Sequence, residues 1–233
     1  NTEIARYMRE TYGVSNEKTA LAITIANREK ALLQDLDYEN GYSLYVGIPF
    51  CPSICLYCSF GSHPLERWTK RVDEYLDTLC KELTFIREQM GARKLTTVYI
   101  GGGTPTTLEP EQLRRLLSHI QETFDFTWVK EYTVEAGRPD SITREKLQVM
   151  KEFPVTRISV NPQTMNQKTL DVIGRKHTVE DTVNIFHMAR ELEFDNINMD
   201  LIIGLPGEGK EEVAHTLQKV EKLHPDSLTI HSL

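Results

Sequence analysis

The 233-residue chain predicts an α/β fold in which a parallel sheet curls into part of a barrel, and three observations carry that expectation. Short β-like runs recur six times along the chain. Each is followed by a stretch whose apolar period changes from two to 3.6. The runs alternate with helical stretches rather than with one another, and repeated β-α order implies parallel strands joined by crossovers. Eight units would close a full barrel, whereas six leave an open, curved sheet, a partial (β/α)6 TIM-like barrel. In either form ligands collect at the carboxyl ends of the strands.

The elements follow in order. Residues 1–40 predict an amphipathic helix through Leu21, Ile25 and Leu32, an N-terminal helical extension or the remnant of an upstream domain. Residues 41–233 form the core. Its strands are expected at Ser43 to Ile48, Thr97 to Ile100, Glu131 to Glu135, Thr156 to Val160, Asn196 to Ile203 and Ser227 to Ile230. Helices are expected at Leu65 to Met90, Pro110 to Thr123, Ile142 to Glu152, Met165 to Ile173, Val179 to Leu192 and Glu211 to Leu223. Gly91 stops the first long core helix, Pro110 opens the next, and Thr178 with Asp181 reads as an N-terminal capping pair. A chain that starts without Met and ends on a strand reads as a fragment.

Composition narrows the function classes. With 39% hydrophobic and 26% charged residues the chain can bury a substantial core as one globular unit. A net charge of -7 supplies no general attraction to nucleic acid or to an anionic membrane. No apolar run is long enough to span a membrane, and residues 1 to 30 lack a signal-peptide core, so a cytoplasmic protein is expected. Three of the four cysteines fall within eight residues, unlike a disulfide framework spread along a secreted chain. Cys80, in a helical pattern with Val72, Tyr75, Leu79 and Leu83, reads as a core residue.

Cys51, Cys55 and Cys58 lie in the loop after the first strand, with spacing C-x3-C-x2-C. Three thiolates on a four-iron cube leave one iron open to another ligand. On spacing alone two other readings stand: a Cys3His zinc site with His63, or reduced core thiols. The other strand ends carry matching groups. Gly101-Gly-Gly-Thr-Pro-Thr106 follows the second strand, and its glycines allow close backbone approach with amides free for an anionic or zwitterionic ligand. Glu135, Asn161, Gln163 and Asp200 end the third, fourth and fifth. Arg175 offers a fork for a carboxylate. Asp200-Leu-Ile-Ile-Gly-Leu-Pro-Gly-Glu208 offers apolar surface to a flat base.

These residues resemble the radical S-adenosylmethionine (SAM) superfamily, and within it the oxygen-independent coproporphyrinogen III dehydrogenase group, its HemZ-like branch in particular. The resemblance runs from about Tyr42 to Leu233. It is carried by Tyr45-Val-Gly-Ile-Pro-Phe-Cys51, the cysteine triplet with Tyr57 before its last member, the glycine run, Asn161-Pro-Gln163, Asp171-Val-Ile-Gly-Arg-Lys-His-Thr178 and Asp200-Leu-Ile-Ile-Gly-Leu-Pro-Gly207.

The resemblance implies a [4Fe-4S] cluster on Cys51, Cys55 and Cys58 whose open iron chelates S-adenosyl-L-methionine. It implies a 5′-deoxyadenosyl radical that abstracts substrate hydrogen, and oxidative decarboxylation of coproporphyrinogen III to protoporphyrinogen IX in haem biosynthesis. A low-potential electron donor is then required as a partner. Tyr57 would touch adenine, Gly102, Gly103 and Thr104 the methionine end, and Gln163, Arg175 and Asp200 the remaining polar groups. Tyr45 and Glu135 match residues that contact a second S-adenosylmethionine. No catalytic proton donor is assigned, because Gly47 stands where many relatives have His. Phe60 stands where the best-known member has Cys, a pattern shared with relatives that traffic haem, so a non-catalytic haem-binding or haem-delivery protein is the alternative. The C-terminal region that covers substrate in the family is absent.

Overall fold

The computed structural model describes residues 1–34, 36–37 and 39–233, so positions 35 and 38 of the predicted 1–40 extension lie outside the described residues. The chain divides into two compact units, Asn1–Tyr42 and Ser43–Leu233. The first is a pair of helices, α1 (Thr2–Tyr12) and α2 (Asn16–Gln34), where the sequence predicts one. Gly13, left-handed at φ 64°, ends α1 with its amide on the Arg9 carbonyl at 3.1 Å. Leu21, Ile25 and Leu32 all lie on α2 and are exposed.

Six strands follow, β1 (Gly41–Ile48), whose first two residues fall in the first unit, β2 (Lys94–Gly102), β3 (Glu131–Gly137), β4 (Arg157–Val160), β5 (Ile197–Ile203) and β6 (Ser227–Ser232). They stand side by side in chain order in a single sheet, and the pairings from β2 to β6 are parallel. Sequential order follows from crossovers of one hand, each returning the chain to the adjacent position. The result is the open, curved, six-stranded partial barrel that the alternating pattern predicts. In β3, Tyr132, Thr133, Val134 and Ala136 are buried and only Glu135 among them is half-buried, because both faces of a parallel sheet are covered.

Amphipathic helices cover the sheet. On α3 (Val72–Met90) the buried residues are Val72, Leu76, Leu79 and Leu83, and on α4 (Pro110–Thr123) they are Leu113, Leu116, Leu117 and Ile120, both at helical spacing. Cys80 lies one position off the α3 stripe and is only partly buried, not a core residue as expected. Four further helices follow: α5 (Arg144–Lys151), α6 (Gln167–Val172), α7 (Val179–Glu191) and α8 (Lys210–Leu223). At the start of α7 the Thr178 amide donates to Asp181 Oδ2 at 2.7 Å while the Asp181 amide donates to Thr178 Oγ1 at 3.0 Å, the reciprocal cap that the sequence predicts.

Two local features aim the carboxyl ends of the strands. Pairing of β3 with β4 slips at Glu135/Gly137, a bulge that Gly137 accommodates at φ 69°. Beyond β4, Gln163 rejoins the sheet: its amide donates to the Asp200 carbonyl (3.0 Å) and its carbonyl accepts from the Ile202 amide (2.9 Å). That clamp holds Gln163 at φ 67°, a left-handed conformation that a non-glycine residue keeps only where its surroundings enforce it.

Candidate cofactor site

The cysteine loop leaves β1 and is pinned at three places. A two-residue strand, Phe50–Cys51, pairs with His63–Pro64 and closes the loop on itself. The glycine run at the end of β2 presses against it: the Gly103 amide donates to the Ile48 carbonyl (2.7 Å), the Thr104 amide to the Phe50 carbonyl (2.8 Å), and Thr104 Oγ1 to Cys51 Sγ (3.4 Å). From the segment after α6, the Ile173 carbonyl accepts from the Leu56 amide (3.0 Å) and the Gly174 carbonyl from Ser53 Oγ (3.1 Å).

Gly103 is a glycine for a spatial reason. A Cβ there would lie 2.6 Å from the Phe50 carbonyl oxygen and 3.0 Å from Cys51 Sγ. The amides expected to be free for a ligand at Gly103 and Thr104 are instead spent on seating the cysteine loop. What these residues present to a ligand is limited to other groups.

Beside the loop opens a cleft of about 490 Å³, within the range of small-molecule sites. Cys51, Cys55 and Cys58 line it together with Tyr57, Gly102, Gly103 and Thr104. Glu135, Gln163, Arg175 and Asp200 complete the predicted set on its walls, joined by Asn161. Tyr45 alone is not on the wall. Its ring stacks on Tyr99 at 5.8 Å between centroids, and Tyr99 lines the cleft and donates its hydroxyl to Glu135 Oε1. Burial pushes the Glu135 carboxyl above the ordinary carboxylate range, and burial with the adjacent Glu135 raises the Tyr99 phenol.

The polar groups around the cleft are either interlocked or waiting. Arg175, 6% exposed, gives Nε (3.2 Å) and Nη2 (2.9 Å) to the Tyr57 hydroxyl and Nη1 to the Asn161 carbonyl (2.5 Å). Those bonds use three of its five N–H groups and fix the Tyr57 ring, whose phenol burial raises to about 12. Asp200 accepts from Asn198 Nδ2 at 2.6 Å. By contrast, Asn161 Oδ1 and Gln163 Oε1 are buried with no partner. An acceptor shut away from water without a donor is costly, and both of these belong to residues of the cleft wall.

Among the described residues, no three His, Cys, Asp or Glu side chains gather as they would around one metal ion. His63, expected as a fourth zinc ligand, is exposed and packs on Trp68 at 5.0 Å between ring centroids. A four-iron cube distributes its thiolates over separate corner irons, so three cleft-lining thiols suit it better than they suit a single zinc.

Arg138 is the residue that the sequence reading did not single out. It follows the β3 bulge and is 3% exposed. Its Nε and Nη2 bind both carboxylate oxygens of Asp140 at 2.9 and 2.7 Å, and Nη1 reaches the Ser53 carbonyl (2.9 Å), Ser53 Oγ (2.8 Å) and Cys55 Sγ (3.7 Å). The available signal was an arginine placed directly after a strand-ending glycine, two residues before an aspartate.

Comparison with known proteins matches the chain to the family described as the Radical SAM superfamily over residues 45–220. It is 44% identical over 230 residues to the oxygen-independent coproporphyrinogen-III oxidase-like protein HemZ of Bacillus subtilis, covering 97% of this chain and 46% of that protein. It is 38% identical to the heme chaperone HemW of the same organism, covering 82% of this chain and 50% of that one. Among solved structures, coproporphyrinogen III oxidase HemN from Escherichia coli superposes with a TM-score of 0.76 at 32% identity, covering 87% of this chain and 47% of that one. The chain thus spans about half the length of the relatives it matches.

Proposed function

The chain belongs to the radical SAM superfamily, and from that premise we propose that it cleaves S-adenosyl-L-methionine at a [4Fe-4S] cluster held by Cys51, Cys55 and Cys58, with coproporphyrinogen III as the compound oxidised. The observation that carries the reading is the cleft itself, which Cys51, Cys55 and Cys58 line together with Asn161 and Gln163, two residues whose side-chain oxygens are buried without a partner. When bound, the cluster supplies an electron that splits the sulfonium of S-adenosylmethionine and so generates an oxidant of substrate C–H bonds.

The chain's own residues bind and orient. Asn161 and Gln163 take donors from the ligand's amino or ribose groups, and Asp200 accepts beside them. Tyr57, its ring immobilised by Arg175 and packed against Leu170, Ile173, Ile202 and Leu205, forms the platform for adenine. Thr104 holds Cys51 in place, while Gly102 and Gly103, packed against β1 and the cysteine loop, line the cleft where the methionine end lies. Glu135, with Tyr99 beneath Tyr45, forms a separate polar corner for a second S-adenosylmethionine. Its raised carboxyl pKa means the corner can hold a proton at higher pH than an exposed glutamate can. The substrate propionates would enter from the same mouth.

A second reading has its own support in the 38% identity to a protein named a heme chaperone and in the exposed Phe60 ring at the cleft edge, which offers a flat apolar macrocycle a contact. Incubating the anaerobically reconstituted, reduced chain with S-adenosylmethionine and coproporphyrinogen III, with product analysis, separates the two. The proposal predicts formation of protoporphyrinogen IX. Cleavage of S-adenosylmethionine without porphyrinogen turnover, combined with stoichiometric haem binding, would establish the delivery role instead.

A further inference from the structure

We propose that Arg138 is a positioning residue that sets the reduction potential of the cluster, by fixing a cation and an N–H donor against the Cys55 thiolate. The inference rests on the cluster reading above and adds to it a residue outside the cysteine motif. Nothing in the C-x3-C-x2-C spacing points to it, because Arg138 comes from the opposite side of the chain's order, after β3.

Three features of its setting make the guanidinium electrostatically effective. It is buried, so its field is poorly screened by solvent. It is rigid: five contacts to Asp140, Ser53 and Cys55 fix its plane, and Ser53 is itself tied to the Gly174 carbonyl. It is aimed, since Asp140 occupies Nε and Nη2 and leaves Nη1 for Ser53 and the sulfur. Two other buried cations near by are directed elsewhere, Arg175 to Tyr57 and Asn161 and Lys146 to the carbonyls of Thr106 and Ser141.

Asp140 has no second cation to share. His177 is the only other basic group paired with it among the described residues, at 3.9 Å, too far for a hydrogen bond. Both ring nitrogens of His177 are buried without partners, and burial followed by the Arg175 charge lowers its pKa to about 4. At neutral pH it is uncharged, so the Asp140 charge is answered by Arg138 alone. Arg138 and Asp140 therefore act with opposite signs on the sulfur.

Charge and hydrogen bonds to the sulfurs tune cluster potentials. A cation beside a thiolate favours the reduced, more negative cluster, so its removal lowers the midpoint; removal of the anion raises it. The test is a potentiometric titration of the reconstituted wild type, R138K, R138M and D140N, followed by the electron paramagnetic resonance of the reduced cluster, with iron and sulfide measured on each sample. The expected result is a more negative midpoint in R138M, partial recovery in R138K and a more positive midpoint in D140N, at equal iron content. A purely structural role would not produce shifts of opposite sign. If R138M fails to retain iron, the D140N midpoint decides: a rise supports the inference and no change overturns it. Unchanged midpoints in iron-loaded variants overturn the inference and leave the cluster reading intact. A wild type that takes up neither iron nor sulfide overturns both.

Discussion

At the residue scale, the cleft is a set of side chains brought together from distant strand ends, and burial decides what each can do. Eleven of the twelve cofactor and cluster candidates line the cleft, and all of these but Arg175, which follows α6, lie at or near the end of a strand or in the loop after one. Two things were hidden. The use made of the Gly103 and Thr104 amides depends on a contact across more than fifty residues of chain, which spacing does not encode. Arg138 was hidden by the ordinary expectation that an arginine is solvated. His177 gives a test at this scale. Its depressed pKa means the unfolded chain takes up a proton near pH 6.5 that the folded chain refuses until about 4. Stability should therefore fall as pH drops through that window, by at most about 3 kcal/mol from this group. Urea unfolding at pH 7 and pH 5 should show a smaller acid loss for His177→Leu than for wild type; equal losses would assign the acid sensitivity elsewhere.

At the element scale, the strongly periodic segments were legible and their margins were not. Helix α4 starts and ends where Pro110 and Thr123 predict, since Pro110 and the Glu109/Gln112 capping pair fix its entry. The predicted helix Leu65 to Met90 is interrupted: a one-turn helix, Leu65–Trp68, and a 3-10 turn, Thr69–Arg71, precede α3. Here Trp68 turns to meet His63 and the Arg71 guanidinium, contacts that local propensity does not contain. Strand β2 runs through Gly102, beyond the predicted Ile100, because the glycine run continues against β1 before it turns. The two-residue ladder that closes the cysteine loop is too short, and too rich in proline, to be read from pattern. The seat between the glycine run and the loop is testable. Gly103→Ala forces a methyl into the Phe50 carbonyl and the Cys51 sulfur, an overpacking cost of roughly 1–3 kcal/mol. The variant should melt lower and take up less iron, and wild-type values for both would remove the seating role.

At the scale of the whole molecule, the sheet in chain order explains why residues so far apart in sequence share one mouth: every parallel strand delivers its carboxyl end to the same side. Among the described residues no helix is long and apolar enough to cross a membrane. The family, the six-stranded partial barrel and the relation to haem-related proteins stand on the matches and the architecture. The chemistry turns on whether the three-thiol loop holds a cluster. Iron and acid-labile sulfide, measured after anaerobic reconstitution of the wild type and of Cys55→Ala, test that most directly. Equal amounts of the two are expected, about four of each per wild-type chain, with both lost from the variant while its far-ultraviolet circular dichroism is kept. One zinc per chain with neither iron nor sulfide, or a variant that binds as much iron as the wild type, would contradict it.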